Sequence, residues 1–219
     1  LGVQSEFVVE AEPSSIIVVA GTTFILNATV TDKADGSLVP NANVDLWFDW
    51  GGANQTVIDS TVTDVDGVAR FNPTLLANTA PGFYDLRVHA PDDLTDNLTV
   101  ANAGRWVGNE TFVNLTVQVN SLVAIDSIPA EVTAGQAFTI SGHVLDGFDN
   151  NRSVEGPMAI EVFFLNDTSE TLVASHTTSN NGSFIVSVPT DPRGDGISSG
   201  TKTVVVSVIN GTTPFYLTG

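Results

Sequence analysis

Apolar and polar residues alternate along short stretches of this chain, and almost no stretch has the 3.6-residue period of a helix. From Phe24 to Val30, for example, every second residue is apolar or small. Clusters of Gly, Pro, Asn and Asp separate such stretches at intervals of roughly ten residues, which is typical of an all-β chain. The clearest predicted strands are residues 24–31, 44–48, 56–63, 84–90 and 112–119 in the first half, and 138–145, 160–165, 172–177, 183–188 and 203–209 in the second.

The two halves of the chain also match each other in sequence. The longest gapless match pairs AGTTFILNATVTD at residues 20–32 with AGQAFTISGHVLD at residues 134–146. Three shorter matches follow in the same order, and together they indicate a repeat of roughly 115 residues. About seven short strands per repeat predict an all-β fold of two tandem immunoglobulin-like Greek-key β-sandwich domains. We place these domains at residues 1–120 and 121–219.

The composition narrows the classes of partner. Among the 219 residues, 25 are acidic and only 7 are basic, so the formal net charge is -18. Such a surface repels phosphate backbones and anionic lipid heads, which argues against nucleic acid and against direct binding to a membrane surface. No run of 18 apolar residues is present, so we also expect no membrane insertion. The absence of cysteine excludes disulfides, thiol catalysis and thiolate metal sites.

Acceptor motifs for N-glycosylation are more frequent than the composition alone explains. The motif Asn, any residue except Pro, then Ser or Thr occurs nine times, against roughly three expected by chance. The alternating pattern turns Asn27 outward, because Leu26 and Ala28 occupy inward positions on either side. We therefore predict an extracellular glycoprotein that carries covalent N-glycans. The candidate sites are Asn27, Asn54, Asn97, Asn109, Asn114, Asn151, Asn166, Asn181 and Asn210.

Three motifs in the first repeat carry a family resemblance: VTD at residues 30–32, VPNA at residues 39–42 and TDVDGVARF at residues 63–71. They resemble the Ig-like repeats of invasin- and intimin-type bacterial surface proteins. The resemblance covers most of residues 13–90 and, less fully, residues 127–208. It implies a stalk or spacer outside the cell, often within a longer array, and it implies no catalytic residue. The acidity and the density of acceptor motifs are also similar to those of archaeal surface-layer and filament proteins.

Catalytic constellations are not evident in the sequence. The histidines are His89, His143 and His176, and no Ser lies in the GxSxG motif of a nucleophile elbow. A glycosidase needs two carboxylates in one cleft, and no such pair can be placed from the sequence. We therefore expect that the chain is not an enzyme, and we interpret His143 and His176 as outward-facing surface residues.

Calcium is the one cofactor that the sequence suggests. Asp64 and Asp66 lie in the run DVDG, which EF-hand loops share, and Ca²⁺ prefers several carboxylate oxygens from one compact loop. The distal Glu of an EF-hand is missing, and Asp with Gly is also ordinary turn chemistry. Two interpretations of Asp64 and Asp66 therefore stay open: they are candidate calcium ligands, or they are ordinary turn residues.

The segment DLWFDW at residues 45–50 contains three aromatic residues, which serve either to bind a sugar or to pack against other side chains. Strict alternation sends Leu46, Phe48 and Trp50 inward and Trp47 outward, where Trp47 is able to stack on a sugar ring. Phe163 occupies the matching place in the second repeat, and a shared aromatic favours packing over sugar binding.

The two repeats differ at their last strand, and this difference bears on assembly. The first repeat continues through residues 112–119, whereas the second has only residues 214–217 for the same edge. An open sheet edge invites a strand from another chain. The segment Phe7, Val8, Val9 and Glu10 is the candidate donor strand of such a homopolymer. The alternative is that this segment pairs within its own domain and that residues 212–217 close the second one.

Taken together, the patterns predict a non-catalytic structural module of a cell-surface assembly such as a filament, a surface layer or a stalk. Its expected partners are other copies of itself or neighbouring surface proteins. The alternative function is that of a carbohydrate-binding adhesin, in which Trp47 and Trp50 would contact the sugar.

Overall fold

The computed structural model describes residues 5–92, 106–147, 153–154, 156–166, 169–190, 201–211 and 216–217. Strands and their connecting turns make up all of these residues, and none of them is helical. The contacts divide the chain into two compact units, Leu1–Val117 and Gln118–Gly219. Within the described ranges there is no helix long and apolar enough to span a bilayer.

The first unit is a sandwich of two sheets. Its strands are β1 (Ser5–Glu12), β2 (Ser15–Val19), β3 (Leu26–Asp32), β4 (Asn43–Phe48), β5 (Thr56–Val62), β6 (Val68–Phe71), β7 (Gly82–Ala90), β8 (Trp106–Val107) and the first part of β9 (Asn109–Ser127). One sheet has the order β6-β3-β1-β8, and the other runs β9-β7-β4-β5 with β2 paired to β9. Consecutive strands alternate between the two sheets, except that β4 and β5 are neighbours in the same sheet, as in an immunoglobulin-like Greek key. The predicted fold class is confirmed.

Alternation explains the core of this unit. In β3, Leu26, Ala28 and Val30 are fully buried, while Asn27 between them is exposed. The facing sheet contributes Leu46 and Leu86, also fully buried, so the inward residues of both sheets meet in one apolar layer.

The segment from Phe7 to Glu10 is an internal strand of the first unit. It lies in β1, which pairs antiparallel with β3 from Phe7 opposite Asp32 to Glu12 opposite Asn27. The Phe7 ring is buried and stacks on Trp106 with ring centroids 5.0 Å apart. Of the two alternatives for this segment, the structure therefore has the one in which it pairs within its own domain. In this chain the backbone of residues 7–10 pairs with β3 and the Phe7 side chain packs in the core of the same unit.

The second unit repeats the design. It contains the last part of β9, followed by β10 (Phe138–Asp146), β11 (Met158–Asn166), β12 (Ser169–Thr177), β13 (Ser183–Val188), β14 (Thr203–Gly211) and β15 (Tyr216–Leu217). One sheet has the order β13-β10-β9, with β15 paired to β9, and the other has the order β12-β11-β14. Its core is built from buried residues such as Ile140, Val144, Met158 and Ile160.

The closing edge of the second unit is short. β14 extends through Asn210 and Gly211, two residues beyond the predicted strand at residues 203–209. Tyr216 and Leu217 form a two-residue strand that runs parallel to β9, with Tyr216 opposite Val119. The hydroxyl of Ser121 donates to the Leu217 carbonyl at 2.7 Å, which fastens this strand. Within the described ranges, β14 is the last strand of its sheet.

Candidate functional site on the outer face of the first unit

The outer face of the sheet β9-β7-β4-β5 carries the tryptophans singled out in the sequence. In β4, Val44, Leu46 and Phe48 are buried, so the intervening Trp47 lies on the opposite, outer face. This orientation of Trp47 is the predicted one. Trp47 is nevertheless half-buried, and its ring packs against that of Trp50 in the following loop.

Trp50 does not point inward as predicted. Asp49, directly after β4, has φ 53°, a left-handed conformation that breaks the two-residue alternation of the strand. The Trp50 amide donates to the Asp85 carbonyl at 3.0 Å. The Trp50 ring packs against that of Trp47, with ring centroids 5.4 Å apart and an interplanar angle of 77°. The two tryptophans therefore share one face.

Arg87 covers the tryptophan pair. It lies on β7 opposite Trp47 in the register, and its guanidinium carbon is 3.8 Å from the centre of the Trp50 ring. The same guanidinium forms an ion pair with Glu110 on β9. A cation held over an aromatic face by a carboxylate is a packing arrangement, and it occupies the surface that a sugar ring would need. The geometry thus favours packing for Trp47 and Trp50.

His89 continues this row of charged residues. It lies two residues after Arg87 on β7, between Asp45 of β4 and Glu110 of β9 in the register. Partial burial of the ring and then the positive charge of Arg87 lower the pKa of His89, although the carboxylates of Glu110 and Asp45 act in the opposite direction. His89 is therefore a neutral member of the face at pH 7.

Exposed phenylalanines complete the outer face, and sequence reasoning missed them. Phe83 on β7 and Phe112 on β9 are 71% and 50% exposed. Asn114 and Thr116 follow Phe112 on the same face, since Val113, Leu115 and Val117 point inward. Phe83 lies opposite Thr116, and Asn114 and Trp50 line a shared open cleft of roughly 590 Å³. The period of two in residues 112–117 was the signal that places Phe112 outside.

The candidate glycosylation sites differ in how their side chains are placed. The asparagines with exposed side chains are Asn27, Asn54, Asn114 and Asn181. Asn109, in contrast, is half-buried, and its Nδ2 donates to the Phe7 carbonyl at 2.8 Å and to Glu6 at 3.3 Å. Asn166 and Asn210 lie in β11 and β14. Asn97 and Asn151 lie outside the described residues.

Asp64 organises a turn. Its Oδ1 accepts from the amides of Asp66 and Val68 at 2.9 and 3.0 Å, and its Oδ2 pairs with Arg70. The hydrogen bond from Arg70, followed by that from Val68, holds the pKa of Asp64 below its usual value. Asp66 is exposed, and in the part of the chain that the structure describes no three His, Asp or Glu side chains form a metal-sized cluster. The candidate calcium site therefore gains no support from this geometry.

The other two histidines lie in the second unit. His176 on β12 is exposed, as predicted. His143 on β10 is partly exposed, and its Nδ1 lies 2.7 Å from the Asp126 carboxylate. Phe163, which matches Trp47 in the repeat, is half-buried on β11.

No protein-family model matches the chain, and no curated protein matches it. Three similar solved structures are four tandem repeats from the extending region of a large adhesion protein, the adhesin InvE of Yersinia pseudotuberculosis and E. coli alpha-2-macroglobulin. Their sequence identities are 19%, 18% and 16%, and their TM-scores are 0.35, 0.34 and 0.34. The alignments cover 98%, 92% and 94% of this chain. The chain spans 48%, 55% and 13% of those structures.

Proposed function

We propose that this chain is a non-catalytic, N-glycosylated structural module of a cell-surface assembly such as a filament, a surface layer or a stalk. The observation that carries the proposal is the exposure of four of the five acceptor asparagines whose side chains are described. Asn27 and Asn114 project from strands and Asn54 and Asn181 from turns, so a glycan at each would extend into solvent without disturbing the core.

The use of polar side chains supports a structural role. The Asp49 carboxylate accepts from the Asn54 backbone amide at 2.9 Å, and Asp64 accepts from two turn amides. The side-chain Oδ1 of Asn181 accepts from the hydroxyls of Ser179 and Ser183. These groups satisfy backbone and side-chain donors within turns, which is a structural use of polar side chains. We expect no catalytic activity from them.

The carbohydrate-binding adhesin is the alternative, and the cleft beside Trp50 is the observation in its favour. Against it, Arg87 covers the Trp50 face, and the tryptophans meet edge to face and present no flat platform. Binding to a glycan array that is lost on Trp50→Ala would support the adhesin. Absence of binding at high protein concentration would remove it.

Assembly through other copies or neighbouring surface proteins remains part of the proposal, but not through release of residues 7–10. Extraction of β1 would expose Phe7 and break its pairing with β3. Contacts between folded modules therefore replace donor-strand exchange by this segment as the proposed mode of association.

Intact-mass spectrometry of native material tests the glycosylation that the proposal contains. The mass should exceed the polypeptide mass of 22.9 kDa by several glycans, with Asn27, Asn54 and Asn181 among the occupied sites. Asn109 should be the least occupied of the described sites, because a glycan replaces a hydrogen of the Nδ2 that bonds to Phe7. A bare polypeptide mass from the native organism would contradict the proposal.

A further inference from the structure

The face that carries Asn114 also carries an exposed apolar patch, which we define as Ile17, Phe83 and Phe112. These side chains are 69%, 71% and 50% exposed. They belong to the adjacent strands β2, β7 and β9 of one sheet. Ile16 and Val18 point into the core, so Ile17 faces outward with the other two. A group of exposed apolar side chains on one face is a candidate contact surface.

The register places Asn114 beside Phe112 and Phe83. Phe112 precedes it by two residues on the same face of β9, and Thr116, the hydroxyl residue of the acceptor motif, follows it by two. Across the sheet, Asp85 lies directly opposite Asn114, and Phe83 lies opposite Thr116, one diagonal step away. Diagonal neighbours in a sheet are roughly 7–8 Å apart, a distance that an aromatic side chain bridges.

The side chain of Asn114 itself is exposed, and its backbone amide is engaged with the Ser14 carbonyl at 3.1 Å. The backbone at this position is therefore fixed by strand pairing, and only the side-chain amide projects from the sheet. A group attached to that amide therefore starts from a fixed position on the strand beside the flanking rings.

From this arrangement we propose that Asn114 carries an N-glycan whose first sugars pack against Phe112 and Phe83 and cover the patch. The inference rests on the proposed function, since it needs a glycosylating compartment. Sugars present C–H groups on one face, which stack on an aromatic ring while their hydroxyls remain in water. The covalent link forms between the Asn114 side-chain nitrogen and the anomeric carbon of a lipid-linked sugar donor, whose diphosphate leaves as the nitrogen loses a proton.

Asn27 provides the matched control. It is also an exposed strand residue in an acceptor motif, but its cross-strand neighbours are Glu12 and Arg70 and the residue two before it is Ile25. No aromatic ring borders it in the register, so a glycan at Asn27 gains no stacking surface.

The test uses the full chain secreted from a eukaryotic host that performs N-glycosylation. Site-resolved mass spectrometry measures occupancy, and thermal unfolding compares the wild type, Asn114→Gln, Phe112→Ala and the double variant, with and without enzymatic removal of glycans. Phe112 is exposed, so its replacement leaves the core intact. A parallel set with Asn27→Gln controls for a general effect of glycans.

We expect Asn114 to be occupied and its glycan to raise Tm by about 3 °C, an increase that disappears in Phe112→Ala. The Asn27 glycan should change Tm by less than about 1 °C, with or without Phe112. The first sugar at Asn114 should also show ring-current-shifted proton resonances that Phe112→Ala abolishes.

Three results would overturn the proposal. One is an unoccupied Asn114 in molecules that are occupied at Asn27. A second is a glycan at Asn114 whose effect on Tm is independent of Phe112. The third is a glycan-free dimer that Phe112→Ala dissociates, which would assign the patch to a protein interface. These outcomes leave the proposed function untouched, because that is tested on native material.

Discussion

Thr63 and Thr178 occupy equivalent places in the two units and perform the same task. Both are buried, and each follows a hairpin, β4–β5 in the first unit and β11–β12 in the second. Both hydroxyls accept a hydrogen bond at 2.9 Å from the amide at the start of that hairpin, Ala42 in the first unit and Met158 in the second. The backbone amide of each threonine in turn donates to the carbonyl of the same residue at 2.9 Å. The sequence repeat is thus a repeat of specific buried hydrogen bonds as well as of apolar positions.

Replacing Thr63 by Val should destabilise the chain by about 1–3 kcal/mol, since the change keeps the shape but leaves the Ala42 amide and the Val39 carbonyl without their buried partner. Thr63→Ser, which keeps the hydroxyl, should cost less than Thr63→Val. Urea denaturation with an unchanged m-value measures the difference. Equal stability of Thr63→Val and the wild type would show that the hydroxyl is dispensable.

Gly67 and Gly182 close the equivalent turns that follow these threonines. Both have positive φ, and a Cβ at these positions would lie 2.9 Å from the Val30 carbonyl oxygen and 2.4 Å from that of Val144. Gly67→Ala should therefore cost about 2–4 kcal/mol, from the left-handed backbone together with the clash. Gly36 has φ 73° and open space around it, so Gly36→Ala isolates the backbone contribution at about 1 kcal/mol. Equal losses of stability in the two variants would refute the role of the close approach.

Arg87→Met should reduce stability by about 1 kcal/mol, because it removes both the cation over Trp50 and the ion pair with Glu110. It should also shift tryptophan emission to longer wavelength as Trp50 gains water contact. The control is Lys33→Met, which breaks the exposed Lys33–Glu6 pair and should cost less than about 0.5 kcal/mol. An Arg87 variant with unchanged emission and stability would contradict the described packing.

His89 should make the first unit sensitive to mild acid. Burial lowers its pKa in the folded state, so below the ordinary value of 6.5 the unfolded chain binds a proton that the folded chain resists. The contribution to stability is therefore full above pH 6.5 and falls as the pH drops below it. Asp64 and Asp35 have lowered pKa values and act near and below pH 3.8, outside this window.

His89→Gln should accordingly lose less stability than the wild type between pH 7 and pH 5. The control is His176→Gln, which removes an exposed imidazole on β12. Its loss of stability between pH 7 and pH 5 should equal that of the wild type. Denaturant midpoints at intervals of half a pH unit give the comparison. Parallel curves for the wild type and His89→Gln would exclude His89 as the source of acid sensitivity.

The alternation of apolar and polar residues predicts strand positions and buried side chains in this structure. The strand at residues 183–188 has its predicted bounds, because Phe184, Val186 and Val188 alternate with polar or exposed residues and all three are buried. The predicted inward orientation of Trp50 was wrong, because Asp49 adopts a left-handed conformation that interrupts the alternation of the strand.

Contacts between residues that are far apart in the sequence could not be predicted from the local pattern. Phe7 finds its partners Asp32 and Trp106 far along the chain, so the sequence left two alternatives for its strand. The acceptor motif at Asn109 looks like that at Asn114, yet only the folded chain brings the Phe7 carbonyl to its side-chain nitrogen.

Immunogold electron microscopy of intact native cells, with antibodies against this chain, tests the central claim of a cell-surface structural module most directly. The account predicts gold particles on the cell exterior, arranged along a continuous filament, lattice or stalk. Labelling confined to the cell interior, seen only after permeabilisation, would contradict it.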